Sequence, residues 1–181
     1  HVDDAGRLVY KVTWDKQTVV EESALGITVD EKDLGAGVRL GTPKAGKIKE
    51  TFATWGKHSS GRLECGTAVI PVTSTKSKTT FTLEIHACTD GVAFRYEVPG
   101  KGDRAVSGEA SSWKFPAGST FWYQTDTKNY EGVWTETKAV AADTQIGPPL
   151  TVRLPGGLYA SVSEAASSPA YSGMTLGARG G

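Results

Sequence analysis

The chain has 181 residues, with twenty basic and twenty acidic side chains and a formal net charge of zero. A length of this order buries a full core, and the balanced charge leaves no electrostatic footprint for nucleic acid or an anionic membrane surface. No run of about twenty apolar residues occurs, which excludes a spanning helix, and 22 glycines with frequent Thr, Ser and Val favour strands and turns.

Period-two alternation recurs along the chain and a 3.6-residue period does not. Leu8, Tyr10, Val12 and Trp14 alternate with Val9, Lys11 and Thr13, which predicts a first strand with Tyr10 and Trp14 facing the core. A turn at Asp15-Lys16-Gln17 leads to a second strand over 18–22. Val38 and Leu40 extend the sheet, and residues 48–55 read as another strand. Two alternating runs then flank Ser74-Thr75-Lys76-Ser77-Lys78. Folded as a hairpin centred between Lys76 and Ser77, they set Ala68, Ile70 and Val72 opposite Ile85, Leu83 and Phe81 on one face. The same register puts Cys65 opposite Cys88 on the other face. If both strands are regular this gives a cross-strand disulfide and an oxidising compartment, the alternative being two free thiols.

Asp90-Gly91 is a tight turn signal. After it Val92, Phe94, Tyr96 and Val98 alternate up to Pro99-Gly100. Trp113 is expected in the core, Phe121-Trp122-Tyr123 follows the Pro116-Ala117-Gly118 turn, and Leu150, Val152 and Leu154 form a late strand answered by residues 158–162. Only residues 164–170 offer a helical stretch, and Pro169 interrupts it. Many strands at near-even spacing, without an internal repeat or a linker, predict an all-β fold: a large antiparallel β-sandwich forming one domain over residues 1–181. The start at His1, without an initiator Met or an apolar signal segment, is expected of a removed leader or a trimmed end. Gly180-Gly181 reads as a cut.

Three stretches are more specific than composition. They are Asp90-Gly91-Val92-Ala93-Phe94-Arg95-Tyr96-Glu97-Val98-Pro99; Tyr130-Glu131 following Trp122; and Pro149-Leu150-Thr151, Gly157-Leu158-Tyr159, Glu164-Ala165, Tyr171 and Gly173-Met174. Tyr10, Lys16, Ser23-Ala24-Leu25-Gly26 and Glu109 with Phe115-Pro116 fit the same order. Together they resemble the amino-terminal domain of glycoside hydrolase family 97, whose members are bacterial α-glucosidases and α-galactosidases. The resemblance implies a galactose-mutarotase-like super-sandwich that precedes a (β/α)8 catalytic barrel absent from this chain. It implies a secreted or periplasmic enzyme acting on an α-linked oligosaccharide, with its catalytic carboxylates in that barrel. It also implies that Glu164 reaches a calcium ion shared between sandwich and barrel. Calcium takes six to eight oxygens, so Glu164 alone would hold it weakly. Two departures weaken the site more than the fold: Gly66-Thr67-Ala68 stands where many members carry Asn-Glu, and Ser167-Ser168-Pro169 displaces the usual Leu after Glu-Ala.

Other constellations carry less. Asp3-Asp4, Glu21-Glu22 and Asp30-Glu31 read as solvated turn and edge charge, and no carboxylate pair suits glycoside hydrolysis. Trp55, Trp122, Tyr130 and Trp134 lie near turns and are candidates for stacking on a pyranose face, which leaves a free-standing carbohydrate-binding module as the alternative function. A copper brace built on His1, with His86 or His58, is a third reading that depends on His1 being a true N-terminus. No phosphate loop, zinc spacing or nucleophile elbow occurs, and Gly35-Ala36-Gly37 is only a turn.

Overall fold

Alternating β-branched and aromatic residues become strands through most of the chain, and among the described residues no helix forms. The computed structural model describes residues 1–129, 131–165 and 173–179. Its strands are β1 (Val9–Trp14), β2 (Gln17–Ala24), β3 (Ile27–Val29), β4 (Lys32–Asp33), β5 (Val38–Leu40), β6 (Lys44–Ala53), β7 (Ser60–Ser74) and β8 (Thr79–Cys88). They continue with β9 (Val92–Glu97), β10 (Val106–Glu109), β11 (Thr120–Gln124), β12 (Thr135–Thr137), β13 (Gln145–Arg153), β14 (Tyr159–Val162) and β15 (Leu176–Gly177). The fold is all-β and antiparallel, the sandwich class that the alternation predicts. Packing divides it into two compact units: His1–Tyr10 with Glu22–Trp113, and Lys11–Glu21 with Lys114–Gly181.

The first unit is organised by β7. One edge of β7 pairs with β8, which in turn pairs with β9; the other edge is shared between β6 and β5. Ala68, Ile70 and Val72 stand opposite Ile85, Leu83 and Phe81, and Cys65 opposite Cys88, in the register expected from the sequence. Cys65 and Cys88 form a disulfide. The break between β6 and β5 has a local cause. The Pro71 carbonyl accepts from Gly41 N–H at 2.7 Å, so the missing amide hydrogen of Pro71 falls on that same edge, where a continuous partner strand would need it.

The inner face of this sheet supplies Val72, Phe81 and Leu83 to a core completed by Leu8, Leu25, Val29, Leu34 and Val38. The three-stranded sheet β10-β3-β4 contributes Val29 from its middle strand. Tyr96 packs edge-on against Phe81 and Phe94, and its hydroxyl accepts from Gly26 N–H at 2.9 Å and bonds Ser111 Oγ at 2.6 Å. Tyr10 donates to the Ser112 carbonyl at 2.8 Å. Trp113 stacks on Phe94 at a centroid distance of 6.2 Å, half-buried against this core.

In the second unit β11 and β13 are the centre of the sheet β12-β11-β13-β14, with β15 also on β13. Ile146, Leu150, Val152, Leu154 and Val162 are buried, and Phe121 meets Phe115 edge-on. Gln124 is buried at the end of β11, opposite Gly147. A Cβ on Gly147 would come within 2.7 Å of the Asp126 carbonyl and 2.6 Å of Gln124 Nε2, so this position has room only for glycine.

Three expectations change. Trp14 is 54% exposed rather than in the core, because β1 and β2 form a sheet of only two strands and parity buries a residue only where a second layer covers it. Glu164 and Ala165 are not helical, and the rest of that stretch, with Tyr171, lies outside the described residues. Strands β3, β4, β10, β12 and β15 have no counterpart in the sequence reading.

Two predictions follow from this packing. Converting Cys65 and Cys88 to serine frees a segment between positions 23 residues apart. The loss is expected to be about 3 kcal/mol of unfolding free energy, measured by urea titration with and without reductant. The second concerns pH. Burial pushes the Tyr10 and Tyr96 phenols well above their usual 10.0, so the folded state keeps protons that the unfolded state releases, and stability declines as pH rises above 10.0. At the acid end the carboxyls of Asp30, Asp33 and Glu84 are held low. Ala105 N–H and Arg104 act on Asp30; His86 and Arg95 act on Glu84; at Asp33 burial opposes the shift but Arg7 and Gly35 N–H prevail. Their contribution is full above the ordinary carboxyl values of 3.8 and 4.5 and fades as pH falls below them. The melting temperature against pH should therefore show a plateau with a fall at each end.

Candidate functional site

Glu164 follows β14 by two residues and is half-buried. Among the described residues no group of three or more His, Cys, Asp or Glu side chains converges to hold a metal ion.

The aromatic candidates separate. Trp55 is fully exposed in the turn between β6 and β7, in the first unit, and Trp134 is exposed just ahead of β12 in the second. Tyr130 lies outside the described residues. Among the described candidates, Trp122 alone sits in a built surface. On the outer face of the second unit's sheet, Trp122 on β11 is aligned with Thr151 on β13 and Ser161 on β14, and with Glu136 on β12. The neighbouring row aligns Thr120, Arg153 and Tyr159. The Trp122 and Tyr159 ring centroids are 6.0 Å apart with planes 33° from parallel. The Arg153 guanidinium lies 5.7 Å from the Trp122 centroid, a cation–π contact. Tyr159 is 59% exposed. An exposed Tyr159 ring and a half-buried Trp122 ring beside hydroxyl, carboxylate and guanidinium groups match the chemistry of a sugar, which has apolar C–H faces and hydroxyl edges.

Two of the three histidines, His1 and His86, are engaged locally. His1 donates its terminal amine to the Val9 carbonyl at 3.0 Å, and its Nε2 is 2.8 Å from Glu22 Oε2. His86 is on the outer face of β8, with Nε2 3.1 Å from Glu84 Oε1, while Arg95 Nε is 2.6 Å from Glu84 Oε2. The two imidazoles thus bond to carboxylates on different strands, β2 and β8.

Residues 1–180 match the family described as Glycosyl-hydrolase 97 N-terminal. The chain belongs to this family. As a family 97 N-terminal domain it is 29% identical over 178 residues to a probable retaining alpha-galactosidase of Streptomyces bingchenggensis (strain BCW-1), an alignment that covers 94% of this chain and 27% of that protein. A crystal structure of a beta-arabinopyranosidase superposes on 98% of this chain and 31% of its own, with a TM-score of 0.85 at 20% identity, which establishes the shared fold. The family 97 domain therefore spans under a third of the length of either relative. The partners of Trp122 escaped sequence reasoning. Arg153 and Tyr159 lie far from it along the chain and meet it only through the register of β11, β13 and β14.

The Trp122–Tyr159 pair yields its own prediction. Changing Tyr159 to Ala is expected to cost about 1 kcal/mol of stability through the lost aromatic contact. The same change should shift tryptophan fluorescence, and a spectrum unaltered by it would mean that the rings are not paired in solution.

Proposed function

We propose that this chain is the non-catalytic N-terminal sandwich of a longer α-glycosidase, packing on a (β/α)8 catalytic barrel and forming one wall of its sugar pocket. In this reading Glu164 lends a carboxylate to a calcium ion shared with the barrel, and the substrate is an α-linked oligosaccharide. The observation that carries the proposal is the family match over residues 1–180, in a chain that spans only 27% of a relative named as an alpha-galactosidase. The electrostatics support it. Glycoside hydrolysis needs two carboxyls across one bond, one of them raised in pKa to act as the acid. Here the perturbed carboxyls, Asp30, Asp33 and Glu84, all move the other way, each beside a cation. The disulfide supports a secreted or periplasmic setting.

The test has two arms. The purified chain should show no turnover of p-nitrophenyl α-galactoside or α-glucoside, and any rate above buffer that co-purifies with it would sink the accessory role. In the longer polypeptide that carries this chain, Glu164→Gln should raise the calcium concentration for half-maximal activity about tenfold, which corresponds to roughly 1.4 kcal/mol. An unchanged calcium requirement would remove Glu164 from the metal site.

A second reading, direct carbohydrate binding, is favoured by the Trp122–Arg153–Tyr159 face. Titration of the chain with malto- and galacto-oligosaccharides should then give heat that Trp122→Ala abolishes. The absence of heat with the unaltered chain would end it.

A further inference from the structure

Strands β6 and β7 continue past the end of their sheet. β8 stops at Cys88, opposite Cys65, whereas β6 and β7 go on pairing from Lys49↔Glu64 to Ala53↔Ser60. The result is a two-stranded arm with Trp55 in its turn. Its faces differ. One carries Lys49, Arg62 and Glu64, with Glu64 3.9 Å from Lys49 and 3.4 Å from Arg62. The other follows the parity of Ile48, Glu50, Phe52 and Leu63, with Glu50 opposite Leu63, and starts at the disulfide, since Ile48 stands opposite Cys65. Phe52 lies over Gly61, where a Cβ would come within 2.7 Å of its ring, yet the ring remains 50% exposed. Trp55 at the tip is fully exposed. An extended arm that turns aromatic and aliphatic side chains to water is a docking element.

The arm itself, residues 49–64, carries two Lys and one Arg against two Glu, and Lys57 stands two residues from Trp55 in its turn. Lys44, Lys47 and Lys49 line β6, the outer strand, and a lysine-rich edge resists addition of a further strand. The partner therefore meets the face of Ile48, Phe52 and Leu63 rather than the edge. Both relatives carry more than twice this chain's length in further polypeptide, and that polypeptide is the occupant to which this face is assigned.

We infer that the β6–β7 arm is the clamp by which this domain grips the catalytic part of a longer glycosidase, with Ile48, Phe52 and Leu63 buried against it and Trp55 at the tip of the contact. The inference rests on the N-terminal-sandwich reading above and adds the element that makes the contact. The test is hydroxyl-radical footprinting, read residue by residue by mass spectrometry, on this 181-residue chain and on the longer polypeptide that carries it. Phe52, Trp55 and Leu63 should be labelled in the chain alone and lose labelling in the longer polypeptide. The double substitution Phe52→Ser with Trp55→Ser should leave the melting temperature of the 181-residue chain unchanged and lower that of the longer polypeptide. If other residues of this chain become protected but the arm does not, the clamp is refuted and the sandwich reading stands. If no residue of this chain becomes protected, both fall. Protection of the arm in the 181-residue chain that grows with concentration would give the face to a second copy and overturn the clamp.

Discussion

The register of β7 against β8 is the constraint on which the first unit depends. With a side-chain period of two, a slip by one residue would turn Ala68, Ile70 and Val72 away from the core and bring Thr67, Val69 and Thr73 inward. Three features resist that slip. Apolar residues face one another on the core side, the disulfide joins the strands at the far end, and Pro71 fixes where the opposite edge changes partner from β6 to β5. Phe81 and Leu83 are placed by the same pairing, and Tyr96 reaches its Gly26 and Ser111 partners from β9 because β9 is aligned on β8.

How much of this could be read beforehand depended on whether the signal was local. The cysteine hairpin was legible because alternation, a polar turn and two cysteines in register all point to one pairing. β3, β4, β10, β12 and β15 were not, since strands of two to four residues are too short to display a period. Trp14 was misjudged because alternation tells which face a residue occupies and not whether anything covers that face. At the site, Trp122 was legible as an aromatic near a turn, but its neighbours Arg153 and Tyr159 arrive by tertiary pairing and leave no mark in the sequence around it. Glu164 had no local signal at all and rested on resemblance to the family.

The described carboxylates with perturbed titration face cations and serve as structural charges, whereas the groups that present chemistry outward are aromatic: Trp55 on the arm of the first unit, and Trp122 with Tyr159 on the sheet of the second. Rings of this kind recognise flat apolar faces, whether those of a sugar or of a protein surface.

The two units interleave along the chain. Lys11–Glu21 is synthesised early but belongs with Lys114–Gly181, and Glu21 N–H reaches the Lys114 carbonyl at 2.7 Å across that gap in sequence. During translation this short segment therefore emerges long before the strands that it must join. The intervening Glu22–Trp113 can fold in the meantime, as domains commonly do on the ribosome, and in doing so it shortens the loop that the second unit has to close. A gene cut anywhere between the codons for Glu22 and Trp113 would strip one unit of its first segment and split the other, so neither unit can be obtained as a contiguous fragment of the chain.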